Sequence, residues 1–317
     1  MKIQLVTPAP LRINNGNKIT ALRWAAILEN LAHRVRVTQS YDGKACDLLI
    51  ALHARRSADS IRRFYQMRPG VPLVVALTGT DLYRDIRSDR KAQRSLELAT
   101  RLVVLQRMAL AELPKAYHAK TEVIYQSAET VNGGPAAKND KFKVCLIAHM
   151  RHEKDPLRAA FAVRQLPVSS RVEVTHIGVA LDSRLAERAR AEASRNPRYR
   201  WSGPMSHGKT RHLLAQSHLV CITSQMEGSS NVLSEALASG VPVIATRIPG
   251  LIGTLGTSFP GYYPVGDTNK LKQLLLKAEN NREFYRALKR HCARAAKLIR
   301  PRREVAAWRR LLKELGA

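Results

Sequence analysis

The chain has 317 residues, of which 45% are hydrophobic, 25% charged and only 5% aromatic. That length accommodates two domains of ordinary size, and that apolar fraction a sizeable core, which excludes a disordered chain. A net charge of +28 points to anionic partners, whether nucleic acid, lipid surface or phosphorylated small molecules, while the scarcity of aromatics argues against a base-stacking platform for single strands.

In chain order, Ile3 to Thr7 reads as a strand and Pro8 to Asn17 as a loop. Met1 to Pro8 is too short and too soon broken by proline to serve as a signal peptide. Gly16 stands at this first strand-to-helix turn, beside Asn17 and Lys18, where a glycine lets the backbone approach a ligand closely. Ile19, Leu22, Ala25, Ala26, Leu28 and Leu31 then recur at helical spacing. Val35 to Val37 and Leu48 to Leu52 are further strands, the second ending at His53. A basic helix carrying Arg55, Arg56, Arg62 and Arg63 is predicted next. Leu73 to Leu77 ends at Thr78-Gly79-Thr80-Asp81, and Leu102 to Leu105 and Val123-Ile124 continue the alternation. Unbroken apolar strands alternating with helices predict a parallel sheet covered on both faces. The strand-end residues His53, Thr80 and Asp81 are candidate acceptor-site groups: Asp81 to orient or deprotonate an acceptor, His53 to do either or to bind an anion when charged.

Val131 to Asp140 is loop-rich and polar and reads as a linker. The expected domains are 1–138, 139–300, and a last helix at 301–317 that crosses back to the first domain. The alternation restarts with Phe142 to Ile147. Ala148-His149-Met150-Arg151-His152-Glu153-Lys154-Asp155 follows, with a helix expected from Asp155 and Lys154 close to a bound phosphate. Val172 to Val174, a helix over Leu185 to Ala193, Tyr199 to Trp201 and Leu219 to Ile222 complete this half up to the most informative stretch. Trp308, Leu311, Leu312 and Leu315 give the last helix an apolar stripe. The four cysteines, Cys46, Cys145, Cys221 and Cys292, form no C-x-x-C pair and are expected as buried free thiols in a reducing cytosol. No apolar run approaches the ~20 residues of a membrane span.

The stretch in question is Glu227-Gly228-Ser229-Ser230-Asn231-Val232-Leu233-Ser234-Glu235, closed by Gly240 and the strand Pro242 to Ala245. Gly, Ser and Asn suit a tight turn and a helix start. That helix start offers free backbone N–H groups and roughly half a positive charge to an anion. The flanking carboxylates Glu227 and Glu235 can accept hydrogen bonds from hydroxyls. Carboxylate, helix start, carboxylate therefore matches sugar, diphosphate, ribose.

This Glu-x7-Glu segment resembles the donor motif of the GT4-like GT-B glycosyltransferases. The resemblance implies an α/β GT-B architecture of two Rossmann-like doubly wound domains facing a central cleft, with no cofactor and no metal needed for the diphosphate. Against that pattern His149 takes the place of a phosphate-binding arginine and Lys154 keeps the place of the lysine, which leaves either His149 or Arg151 to contact the diphosphate. Backbone around Gly203 to Met205 is expected to read the base. More narrowly, Thr7-Pro8-Ala9-Pro10, Gly16 to Trp24, Ala51 to Ala58, Ala76 to Tyr83, Glu227 to Val232 and Tyr263 to Thr268 together resemble the SenB family of selenosugar synthases in selenoneine biosynthesis. That resemblance implies attack of selenophosphate on the anomeric carbon of UDP-N-acetylglucosamine or UDP-glucose in the cytoplasm. Lys154, Arg151 and the helix start serve the leaving diphosphate, and Lys18, His53, Arg55 and Arg56 the anionic acceptor. The alternatives are a hexosyltransferase acting on a lipid or polysaccharide hydroxyl, and a non-catalytic nucleic-acid binder.

Overall fold

The structure, a computed structural model, describes residues 1–8, 16–132 and 141–316. The chain forms two compact units. The first comprises Met1–Gln126, Glu227–Ser230 and Pro301–Ala317, and the second Ser127–Met226 and Asn231–Arg300. The boundary expected at 138 lies outside the described residues.

In the first unit the strands are β1 (Lys2–Val6), β2 (Arg34–Thr38), β3 (Leu48–Leu52), β4 (Leu73–Leu77), β5 (Arg101–Val104) and β6 (Thr121–Val123), all parallel, in the order β2-β1-β3-β4-β5-β6. Every residue of β3 and β4 is buried, because helices cover both faces and no position along these strands needs to be polar. The helices are α1 (Gly16–Asn30), α2 (Ala58–Met67), α3 (Ile86–Ser88) and α4 (Arg90–Leu98), with a π-helical turn at Asp81–Asp85. The sequence order reverses between β1 and β3, the place where open sheets of this kind bind ligands at strand C-termini.

The second unit contains β7 (Phe142–Ile147), α5 (Arg158–Arg164), β8 (Val172–Ile177), α6 (Ser183–Arg195), β9 (Tyr199–Trp201), α7 (His207–Ala215), β10 (Leu219–Ile222), α8 (Asn231–Ala238), β11 (Val243–Thr246), α9 (Pro249–Leu255), β12 (Tyr262–Tyr263), α10 (Thr268–Asn280) and α11 (Arg282–Ala295). Its parallel sheet runs β12-β11-β10-β7-β8-β9, so the reversal falls between β7 and β10. Gly240 ends α8 with φ +70°; its N–H bonds the Leu237 carbonyl at 3.2 Å and that of Val241 the Ala236 carbonyl at 2.9 Å. That pair of bonds satisfies carbonyls the helix end would otherwise leave open.

The last helix, α12 (Pro301–Glu314), groups with the first unit. Trp308 is fully buried edge-on against Trp24, with ring centroids 4.8 Å apart. On the same helix, the buried Glu304 carboxylate accepts from Trp24 Nε1 at 2.7 Å and from Arg23 Nε at 3.1 Å. A carboxylate removed from water in this way is tolerated only because both oxygens are hydrogen-bonded. Among the described residues no helix is long and apolar enough to cross a membrane.

Two elements differ from the sequence expectation. No helix opens at Asp155: a 3₁₀ turn covers His152–Lys154, Asp155 is left-handed (φ 41°, ψ 55°), and α5 starts only at Arg158. The cause is Pro156, whose ring disfavours the helical region for the residue before it. Arg55 and Arg56 lie in the turn before α2, not on it, because His53 also has positive φ (72°) and the chain turns back there, with the Ser57 N–H on the His53 carbonyl at 3.0 Å.

Candidate functional site

In the second unit the loops after β7 and β10 flank the reversal of the sheet. The β7 loop is held from several sides. His176, at the end of β8 and fully buried, donates from Nε2 to the Ala148 carbonyl at 2.8 Å, and its Nδ1 accepts from the Tyr199 hydroxyl at 2.7 Å. Burial pulls the His176 pKa down to about 4, so the ring stays neutral and this pairing of donor and acceptor is fixed. Gly178 packs so closely under the same loop that a Cβ would lie 1.8 Å from the Ala148 carbonyl oxygen. His149 Nδ1 accepts from the Val179 N–H at 3.1 Å, which puts the proton of the neutral ring on Nε2. Arg151 has its Nε buried without a hydrogen-bond partner. Buried donors are nearly always satisfied, and an orphan in a loop at the sheet's reversal point is what a bound anion would satisfy. Lys154 closes the 3₁₀ turn; its carbonyl accepts from Thr223 Oγ1 at 2.7 Å and that of Glu153 from the Gln225 N–H at 2.9 Å, tying the β7 loop to the β10 loop. Asp155 is anchored by Arg158 Nε at 2.8 Å.

The Glu-x7-Glu stretch is divided: Glu227, Gly228, Ser229 and Ser230 group with the first unit, while Asn231, Val232 and Glu235 lie on α8 of the second. Gly228 has no room for a side chain, since a Cβ would approach the Thr78 carbonyl oxygen to 2.3 Å. Glu235 is 7% exposed and its Oε1 lies 2.7 Å from His207 Nε2, at the start of α7. Gly203 has φ +68° in the loop after β9, whose carbonyl accepts from the Gly178 N–H at 3.0 Å; Met205 is half-buried nearby in sequence. Cys145 and Cys221, on β7 and β10, have thiols that burial pushes up to about 12, which makes them packing groups rather than nucleophiles.

In the first unit His53 and Asp81 end β3 and β4. Asp81 is fully buried and accepts three backbone N–H bonds: from Ala54 at 2.9 Å on Oδ2, from Gly79 at 2.8 Å on Oδ1, and from Thr78 at 3.0 Å on Oδ1. His53, 2% exposed, accepts the Arg56 N–H on Nδ1 at 3.2 Å, so Nε2 carries the proton, 2.9 Å from Thr80 Oγ1. Its positive φ is uncommon for a residue other than glycine, and such positions concentrate at functional sites. Gly16, Asn17 and Lys18 form the first turn of α1, the Gly16 carbonyl accepting from Thr20 Oγ1 at 2.9 Å. Arg55 pairs through Nε with Asp89 at 2.8 Å and through Nη1 with Asp85 at 3.6 Å. Thus His53 is bonded to Thr80 and to the backbone of Arg56, Asp81 lies 3.9 Å from the His53 ring but is bonded to the backbone of Ala54, Thr78 and Gly79, and Lys154 is joined to the β10 loop. His176, Gly178, Thr223 and His207, which hold these groups, were not singled out by the sequence; only the strand-end position of His176 was a signal.

The profile of the family described as glycosyl transferases group 1 matches residues 128–296, more than half of the chain. Among solved structures, sucrose-phosphate synthase from Thermosynechococcus elongatus is similar over 99% of this chain and 98% of its own, with a TM-score of 0.80 at 15% identity. HepE of Anabaena, solved with UDP and glucose, is similar over 100% of this chain and 99% of its own, with a TM-score of 0.74 at 16% identity. A glycosyltransferase from Rickettsia africae is similar over 99% and 98%, with a TM-score of 0.76 at 13% identity. At such identities these likenesses show the fold, the two Rossmann-like domains of GT-B proteins. The profile match settles the family: the chain belongs to the group 1 glycosyltransferases.

Proposed function

We propose that this protein transfers the sugar of a UDP-sugar, UDP-N-acetylglucosamine or UDP-glucose, to selenophosphate, as a selenosugar synthase in selenoneine biosynthesis in the cytoplasm. The reading of the donor as a nucleotide-sugar rests on the orphaned Arg151 donor, Lys154 and the α8 start in the second unit for a diphosphate, with Glu235 assigned to the ribose and Glu227, which groups with the first unit, to the hexose. HepE, a structural neighbour, has been solved with UDP-glucose, which fits the same donor class.

The observation that carries the acceptor is the state of Asp81. A hydroxyl acceptor calls for a base. The strand-end carboxylate best placed by sequence for that work is fully occupied by three backbone N–H groups. His53 is engaged at both ring nitrogens. A selenium nucleophile is already anionic and needs no deprotonation, only neutralisation of its phosphoryl charge, for which Lys18, Arg55 and Arg56 are at hand. In this reaction selenium attacks the anomeric carbon and forms the C–Se bond as the C–O bond to UDP breaks. Water then cleaves Se–P, releasing phosphate and the 1-seleno-sugar. Positive potential at the departing diphosphate is the main contribution required of the protein, from Lys154 and Arg151. Asp81 acts as a positioning residue for the β3 and β4 ends.

The reading is tested by incubating the protein with each UDP-sugar and measuring UDP release with and without selenophosphate. Stimulation by selenophosphate supports it. UDP release stimulated only by a lipid or glycan hydroxyl would instead establish the hexosyltransferase reading, which the basic surface also accommodates. Salt-sensitive binding to unrelated duplexes without UDP binding would point to the nucleic-acid reading.

A further inference from the structure

Beside the His53 turn, the first unit has an open depression of ≈ 580 Å³ lined by Arg55, Arg56, Asp89, Arg90 and Lys91. Four of the five lining side chains are cationic. Asp89 is already committed, to Arg55 at 2.8 Å and to the Ala92 N–H at 2.9 Å. Its carboxyl lies below the usual carboxylate range, first through the Ala92 N–H and further through the Arg55 guanidinium. Lys91 reaches Asp59 at 3.5 Å, an exposed pair of small energetic weight. Arg56 and Arg90 are exposed, and among the described residues neither guanidinium has a hydrogen-bond or ion-pair partner. Arg90 and Lys91 also occupy the first turn of α4, which holds no acidic residue. Cations there oppose the positive end of the helix dipole, an arrangement that is locally unfavourable. Departures of this kind from local rules are expected where function demands them.

We propose that this depression is a phosphoryl-binding site, in which Arg56 and Arg90 clamp the phosphate oxygens of the acceptor while Arg55, held by Asp85 and Asp89, and Lys91 supply the surrounding potential. Forked guanidinium donors suit bidentate capture of phosphate. This rests on the reading of the acceptor as a phosphorylated anion and adds Arg90 and Lys91 to its recognition. The same chemistry is offered by the phosphate of a lipid headgroup, so the test has two arms.

In the first arm, calorimetry with inorganic phosphate and thiophosphate compares the wild type with Arg56→Ala/Arg90→Ala, with UDP as control. Affinity for both anions is expected to fall at least about tenfold, as for two lost charge-assisted contacts, with UDP affinity unchanged and the KM for selenophosphate rising in step. In the second arm, pelleting with vesicles containing phosphatidic acid, against vesicles of phosphatidylcholine alone, is expected to depend on the same two arginines if the phosphate belongs to a headgroup. Loss in either arm supports the site and assigns its source; a variant that retains both overturns it. Arg56→Lys/Arg90→Lys, which keeps charge but loses the fork, is expected to fall between, and serves if the alanine variant does not fold. If selenophosphate drives UDP release with the same KM in wild type and variant, the site falls and the reaction stands. If phosphate binding needs both arginines yet selenophosphate never drives UDP release, the reaction falls and the site stands.

Discussion

Acidification should weaken the second unit, most of all through the buried ring of His176. His176 is fully buried with its pKa pulled down to about 4, against 6.5 in an exposed chain. Between those two values the unfolded chain takes up a proton that the folded chain refuses, so stability rises with pH across the window. It is intact above about 6.5 and is lost progressively as pH falls toward 4. Two and a half pKa units at 1.36 kcal/mol each give about 3 kcal/mol for this ring alone. That is a large part of the ~5–15 kcal/mol by which domains are stable. The His33 and His218 pKa values are lowered in the same direction, chiefly by burial, so the wild-type slope alone does not isolate His176. The difference between wild type and His176→Gln does, because the other groups cancel. Urea unfolding of both proteins, followed from pH 7 to pH 4, is the measurement. The variant should be the less stable at pH 7, having disturbed bonds to Ala148 and Tyr199. The gap should narrow by about 3 kcal/mol toward pH 4. A gap that does not change with pH would refute the assignment of a neutral, locked imidazole.

Other expectations concern the site directly. Glu235→Ala should weaken UDP and UDP-sugar alike, whereas Glu227→Ala should weaken only the sugar nucleotide; calorimetry showing equal losses for both ligands in both variants would reverse the assignment of ends. Lys154→Ala should cut turnover by about 10²–10³, the usual cost of one lost transition-state contact, and steady-state rates within a few-fold of wild type would remove it from the site. Asp81→Asn leaves buried N–H groups short of an acceptor and should cost about 1–3 kcal/mol in unfolding experiments. At temperatures where that variant remains folded, its selenophosphate-dependent turnover should suffer less than that of Arg56→Ala. Gly178→Ala should displace the Ala148 backbone, lowering both the melting temperature and UDP affinity; an unchanged affinity would mean the β7 loop does not contact the nucleotide.

What could be read from the residues and what could not divides along physical lines. Leu48 to Leu52 and Leu73 to Leu77 are legible as strands because a parallel strand buried on both faces has to be apolar throughout. The α8 segment is legible because its start, its end at Gly240 and the following strand are all written in local chemistry. The helix expected from Asp155 starts three residues later, at Arg158, because Pro156 keeps its predecessor out of the helical region. Long-range partners are a different matter. The Ala54 N–H that occupies Asp81 lies 27 residues away, and His207 lies 28 residues from Glu235. Nothing in the neighbourhood of a carboxylate in sequence tells whether it will work as a base or be consumed by the backbone of a distant turn. The left-handed His53 is likewise set by the turn around it and by no property of histidine.

The docking of α12 bears on how the protein is made. The core of the first unit joins Ile3, Leu5 and Trp24 to Trp308, Leu311 and Leu312, which are synthesised much later. Among the described residues, the buried core of the second unit is drawn from residues 142–299. During synthesis at ≈ 5–20 residues per second, the later-encoded unit therefore has all its core residues before the earlier-encoded one. At that rate the amino-terminal sheet waits roughly 10–40 s after Ile124 for Leu312, and over that interval Trp24 lacks its edge-on partner Trp308.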